Sequence, residues 1–208
     1  MNNPWEKIDL STYETHMSSD GLYQLQTLKS ITEEQIENYV HTNVLILGVA
    51  GGNGLEHIDI SSTEKVFGLD INSQYLDMCK ERYPHLTGIL ELVCCDLNNS
   101  DVLLPYSNIM ICNLIIEYIG VNKFIELISN NKDNVNVISC VIQKNNNNDF
   151  VSNSKLTSSL ELLISIHHDI DSENLFNKFL KIGFVCIKKN SYLLPNGKEL
   201  IRMDFGKV

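Results

Sequence analysis

The sequence predicts a doubly wound, mostly parallel α/β sheet of seven strands, closed by an antiparallel C-terminal hairpin and preceded by an N-terminal helical extension. Three observations predict it. An apolar run enters a glycine-rich turn at VLILGVAGGNGLEHI, Val44 to Ile58, and then resumes with helical spacing. Short apolar strands then alternate with helical patterns, the order that gives a parallel sheet. Two late strand-like runs lie too close together for a crossover helix, so they pair antiparallel.

Residues 1–40 mix polar and apolar side chains and read as helical, with Thr32-Glu33-Glu34 resembling a helix start after Ile31. Trp5, Ile8, Leu10, Tyr13, Met17, Leu22, Tyr23, Leu25 and Leu28 make this segment too apolar for a solvated tail. It is therefore expected to cover part of the domain that follows, residues 41–208, either as a lid over a cleft or as a helix packed permanently on the sheet. Strands are expected at Asn43 to Leu47, Lys65 to Leu69, Leu90 to Cys94, Asn108 to Cys112 and Asn134 to Val141. Helical patterns such as Ser73 to Tyr83 and Val121 to Asn130 separate them. Asn145 to Asn148 reads as a solvated loop. Lys155 to Ile166 and Ser172 to Lys181 carry helical periodicity, and Gly183 ends the second. Phe184 to Leu193 and Glu199 to Phe205 form the hairpin around the turn Leu194-Pro195-Asn196-Gly197-Lys198.

At 208 residues the chain is one domain with room for a full core. A net charge of −10 disfavours nucleic acid, whose binding draws its affinity from clustered Lys and Arg. Cys79, Cys94, Cys95, Cys112, Cys140 and Cys186 lack CxxC spacing and mostly sit in apolar runs, so they read as reduced core residues. No HExxH or CxxC pattern points to a metal. The amino terminus lacks a signal-peptide pattern, and no apolar run approaches the roughly 18 residues of a membrane span, so the expected setting is the cytoplasm without a membrane partner.

The glycine turn is the geometry of a nucleotide-binding βα unit, because glycine allows positive φ and lets backbone approach a bound group. VFGLDI supports it: this second strand ends in Asp70, about 20 residues on, where a carboxylate would hold two ribose hydroxyls. With the closing hairpin, these features resemble the class I S-adenosylmethionine-dependent methyltransferases over residues 41–208, a Rossmann-like fold. The resemblance implies S-adenosyl-L-methionine as cofactor and places Gly48, Val49, Ala50 and Gly52 against its methionine part, with Asn53 and Gly54 opening the next helix. Ile46 stands where the family usually has an acid and Ala50 where it usually has glycine. Asp70 matches the ribose-holding acid with Ile71 packing on adenine, Asp96 and Leu97 in LVCCDL match the adenine-amino contact, and Asn113 at the end of NIMICN would face the methyl group. Asp70, Asp96 and Asn113 each also suit a helix N-cap.

The reaction implied is methyl transfer to a small-molecule nucleophile, or at most a protein side chain, by a monomer or homodimer. Candidate catalytic groups are Glu117 and Tyr118, just after the fourth strand, where Tyr118 is equally suited to packing. Tyr13, His16, Met17 and Gln24 of the extension and the pair His167-His168 are candidates for the substrate side, the two histidines being equally readable as loop residues bonded to local backbone. Two other readings stay open: a cofactor-binding protein without turnover, and a nicotinamide-dependent oxidoreductase, which lacks here the Tyr-x-x-x-Lys spacing of short-chain reductases.

Overall fold

The computed structural model describes residues 3–99, 101–145 and 160–207. Its single sheet contains β1 (Asn43–Leu47), β2 (Lys65–Asp70), β3 (Leu90–Cys94), β4 (Ser107–Asn113), β5 (Val135–Lys144), β6 (Phe184–Leu193) and β7 (Glu199–Lys207). Their order is β3-β2-β1-β4-β5-β7-β6. The first five are parallel, and β7 enters antiparallel between β5 and β6. The helices are α1 (Leu10–Ser18), α2 (Gln24–Glu37), α3 (Ser73–Arg82), α4 (Ile116–Ile119), α5 (Val121–Asn130) and α6 (Ser172–Lys181).

The central strands are apolar at successive positions because both faces of the sheet are covered. On β1, Leu45 and Leu47 point into one core with Met110, Phe124, Leu127 and Phe179. Val44 and Ile46 point into the other with Ile36, Val66, Leu76 and Ile111. The rings of Phe179 on α6 and Phe205 on β7 stack with centroids 3.9 Å apart, fixing the hairpin to the first core. Strand order reverses beside β1: β2 and β3 lie to one side, β4 and β5 to the other. The loops leaving β1 and β4 therefore diverge, and a crevice opens at their carboxyl ends.

A buried polar network joins α2 to the hairpin side of the sheet. Arg202 and Asp204, both fully buried on β7, pair through Nε–Oδ1 at 2.9 Å and Nη2–Oδ2 at 2.6 Å. Tyr39 donates its hydroxyl to Asp204 at 2.6 Å, and Ser139 donates to the same carboxylate. Gln35 donates to Ser139 at 2.8 Å and to Asn113 at 2.9 Å, while Arg202 Nη1 reaches Glu34 at 3.2 Å. Each charge thus meets several partners, the condition for keeping such groups away from water.

The structure differs from the sequence reading in four places. Thr32-Glu33-Glu34 lies inside α2, where the Thr32 hydroxyl donates back to Leu28 O at 2.9 Å. The capping pattern is overridden because Leu28, Ile31 and Ile36 continue one buried stripe through it. The described end of the expected helix at Lys155 to Ile166 is a 3-10 helix, Glu161–Ile166; residues 155–159, and 146–148 of the expected Asn-rich loop, lie outside the described residues. Strands β4, β5 and β7 each extend beyond the expected bounds, β5 as far as Lys144. All six thiols are free, but only Cys79, Cys112 and Cys140 are core; Cys94 is exposed on the edge strand β3. No helix among the described residues is long and apolar enough to cross a membrane.

Candidate functional site

The site begins with the turn after β1. The N–H groups of Gly48 and Val49 both donate to Leu69 O, at 2.8 and 3.1 Å, which bends the chain across the end of β2. Gly48 takes φ 71° and Ala50 φ 47°, so Ala50 occupies a left-handed conformation suited to glycine. The strained turn exposes backbone toward the crevice, and Asp70 holds it there. Asp70 Oδ2 accepts from Ala50 N at 2.9 Å and Oδ1 from Asn72 N at 2.9 Å. Asp70 does not cap α3; Asn72 does, accepting from Gln74 N at 3.0 Å and Tyr75 N at 3.3 Å. Burial raises the Asp70 carboxyl above its ordinary range, and the N–H groups of Asn72 and Ala50 oppose that rise. Each oxygen retains acceptor capacity for a ligand hydroxyl.

The crevice is a cleft with about 1160 Å³ of space, its open mouth included. Gly48, Ala50, Asp70 and Ile71 form its floor, and Asp96 and Leu97 one side. Asn113, Leu114, Glu117 and Tyr118, from the end of β4 into α4, form the opposite side. Leu114 takes φ 56°, a strained conformation at the point where the chain leaves the sheet. Trp5, Tyr13, His16, Met17 and Gln24 of the amino-terminal segment also line the cleft.

Three contacts tie that segment to α3. Asn72 Nδ2 donates to Trp5 O at 2.9 Å, and the Tyr75 hydroxyl donates to Ile8 O at 2.7 Å. Arg82 grips Glu14 with both terminal nitrogens, Nη2–Oε2 being 2.8 Å. Deeper in, Gln24 Nε2 donates to Gln143 Oε1 at 3.0 Å, joining the start of α2 to the end of β5.

The remaining expected residues are distributed as follows. Asp96 is exposed, and its Oδ1 accepts from the backbone and side chain of Asn98, an Asx turn rather than a helix cap. Asn113 exchanges hydrogen bonds with Gln35 and donates to Thr32, so α2 orients it. Val49 is buried in the core beside Gly68. Gly52 faces Tyr83 and Cys79, where a Cβ would be 2.6 and 2.9 Å from their side chains, and Gly54 faces Thr32; both glycines serve close packing. Asn53 donates to Leu25 O at 3.0 Å and lines a smaller cavity behind the turn, together with Ile46, Glu14 and Asn113. His167 lies edge-on to Tyr118 with centroids 6.1 Å apart, and burial pushes it down to about 4. His168 is exposed, and its N–H donates to Glu117 O at 2.7 Å. Neither histidine lines the cleft.

Glu117 is 2% exposed. Its Oε1 accepts from Gln143 N at 2.7 Å, while Oε2 has no hydrogen-bond partner among the described residues. Burial pushes this carboxyl up to about 7. Trp5 packs edge-on against Tyr118 at 4.9 Å and Tyr13 at 5.4 Å, giving an aromatic wall near the same end of the cleft. Sequence reasoning missed Trp5, Gln143 and Lys198 as cleft residues. Lys198 is 2% exposed although it closes a polar hairpin turn; burial, and secondly the Lys198 charge, lowers His16 below its ordinary range. Trp5 carried a signal, an aromatic in an apolar extension; a lysine after Asn-Gly carried none.

Structural comparison shows similarity along nearly the whole chain. The N-methyltransferase NodS from Bradyrhizobium japonicum WM9, in complex with S-adenosyl-L-homocysteine, matches with a TM-score of 0.72 at 8% identity, covering 99% of both chains. Magnesium protoporphyrin IX methyltransferase (ChlM) from Synechocystis PCC 6803, with bound S-adenosylmethionine, matches with a TM-score of 0.69 at 10% identity over 98% of this chain and 93% of that one. An S-adenosylmethionine-dependent methyltransferase from Clostridium acetobutylicum ATCC 824 matches with a TM-score of 0.66 at 13% identity over 99% of both. No family model matches the sequence, and no curated protein matches it. With its parallel sheet, switch-point cleft and reversed β7, the chain has the Rossmann-like fold of the class I S-adenosylmethionine-dependent methyltransferases.

Proposed function

We propose that the protein is an S-adenosylmethionine-dependent methyltransferase acting on a small molecule. The observation that carries the reading is Asp70: a buried carboxylate at the end of β2, aimed into the switch-point cleft and holding the strained turn that forms its floor. The residues present fit the cofactor. Asp70 offers acceptors to the ribose hydroxyls, Ile71 and Leu97 offer apolar faces to the adenine, Asp96 an acceptor to its amino group, and Gly48 and Ala50 exposed backbone to the amino-acid end. Asn113, held by Gln35, bounds the space where the methyl group would meet its acceptor. When bound, the cofactor supplies a methyl group activated by its sulfonium. The chain supplies orientation and a water-poor site.

A small-molecule acceptor is favoured by the amino-terminal segment, whose Tyr13, His16, Met17 and Gln24 line the cleft and cover part of it. The net charge of −10 points the same way. In this reading residues 1–40 are a cover for the substrate side, and Glu117 and Tyr118 face the substrate. Ile46 in β1 and Ala50 in the turn favour the second reading, a binding protein without turnover, because they stand where the family has an acid and a glycine. Tritium transfer from methyl-labelled cofactor into a small-metabolite extract separates the two: labelled product is expected, and cofactor binding with no labelled product would establish the second reading.

A further inference from the structure

We infer that the substrate end of the cleft takes an apolar or aromatic amine, whose nitrogen is held by Glu117 Oε2; this specifies the acceptor class and rests on the methyltransferase reading. Glu117 is buried to 2% exposure, lines the cleft, and spends only one oxygen on the protein, through Gln143 N. The other oxygen is buried and has no hydrogen-bond partner among the described residues. An orphaned carboxylate oxygen is costly away from water, and the ligand group that relieves it is a hydrogen-bond donor.

Charge narrows the donor to nitrogen. A second acid, Asp169, acts on Glu117, while Lys198, which lines the same cleft, brings the opposite charge. An ammonium is stabilised beside Glu117, whereas an oxyanion formed at Oε2 would meet repulsion; to accept a methyl group the ammonium first gives one proton to Oε2, which frees the nitrogen lone pair for attack. The adjacent wall of Trp5, Tyr13 and Tyr118, with Leu160 and Leu163, suits the apolar body of such an amine and a cation near ring faces. Other groups around Glu117 are the Cys140 thiol on β5, which burial keeps protonated, and the Tyr118 hydroxyl, whose titration burial moves upward. His168 donates its backbone N–H to Glu117 O, and His16 and Lys198 line the same cleft.

Trp5 is the only tryptophan in the chain, so its fluorescence reports on this pocket. The test titrates the full chain with 2-phenylethylamine, 2-phenylethanol and 3-phenylpropionate, following Trp5 emission and heat, with and without S-adenosylhomocysteine. The amine is expected to saturate and to bind at least about tenfold tighter than the alcohol or the carboxylate. Its affinity should fall as the pH is lowered from about 8 to about 6 and Glu117 takes up a proton. Glu117→Gln should weaken amine binding at least about tenfold and flatten that pH dependence while S-adenosylhomocysteine still binds. Equal binding of the three probes, no saturable binding of the amine, or an unchanged Glu117→Gln variant would overturn the inference. Should that variant not fold, the probe comparison and pH series on the unaltered chain decide. S-adenosylhomocysteine binding without amine binding removes the amine assignment and leaves the methyltransferase reading, and the reverse result does the opposite.

Discussion

The backbone N–H of Ala50 donates to Asp70 Oδ2 at 2.9 Å, so one carboxylate both lines the cleft and holds the turn that forms its floor. Binding geometry and local stability are therefore coupled at the junction of β1 and β2.

Ala50 holds φ 47°, and relieving that strain tests the turn without touching Asp70. Ala50→Gly is expected to stabilise the fold by up to about 1 kcal/mol, because the left-handed penalty removed slightly exceeds the added entropy of glycine in the unfolded chain. Ala50→Val, β-branched at positive φ, is expected to destabilise by about 2 kcal/mol. Urea unfolding measures both, and a Gly variant less stable than the parent would contradict the assigned turn geometry.

Glu117 makes stability depend on pH. Its carboxyl titrates at about 7 when folded, against about 4.3 unfolded, so the native chain holds a proton that the unfolded chain releases between these values. The stability this contributes is complete below the unfolded value and declines as pH rises through about 7. Glu117→Gln should therefore gain stability relative to the parent between about pH 4.5 and 8, by a few kcal/mol in order of magnitude. Parallel unfolding curves across this range would show that Glu117 is not buried as described.

Asn72, Tyr75 and Arg82 bond to the amino-terminal segment, which lines the cleft and is proposed as its cover. Hydrogen exchange is expected to slow across roughly residues 5–28 when S-adenosylhomocysteine binds, as a cover settles on an occupied site. Arg82→Gln, which frees Glu14, should speed exchange in α1 of the free protein. Equal protection in free and bound states would make the segment a permanently packed helix.

Arg202 and Asp204 allow a test of the network beneath α2. Removing Arg202 alone, as Arg202→Met, strands a buried carboxylate and should cost about 3–5 kcal/mol. The double change Arg202→Met with Asp204→Leu should recover much of that loss, measured by chemical denaturation.

Much of this architecture is legible in the sequence: β1, buried on both faces, leaves a short apolar run, and both it and the more exposed edge strand β3 are bounded at Asn43–Leu47 and Leu90–Cys94 as read. The hairpin is legible from the length of its turn alone. Polar burial is not. Arg202, Asp204 and Lys198 are charged residues whose partners are distant in sequence or set by tertiary packing, so composition assigns them to solvent. The helix start at Thr32 fails for a related reason, since a local capping pattern competes with a longer apolar stripe and loses. At the site, the strand ends at Asp70, Asp96 and Asn113 stand out because polar residues terminate apolar runs. The packing roles of Gly52 and Gly54 emerge only once α3 and α2 are in place.

The most direct test of the central claim is calorimetric titration of the purified chain with S-adenosylmethionine, S-adenosylhomocysteine and NAD, repeated with Asp70→Ala. Saturable binding of both adenosyl compounds without NAD binding is predicted. The substitution should weaken it by about 1–3 kcal/mol, as the ribose hydroxyls lose a charged acceptor. Binding of NAD in their place, or adenosyl binding unchanged in Asp70→Ala, would contradict the account.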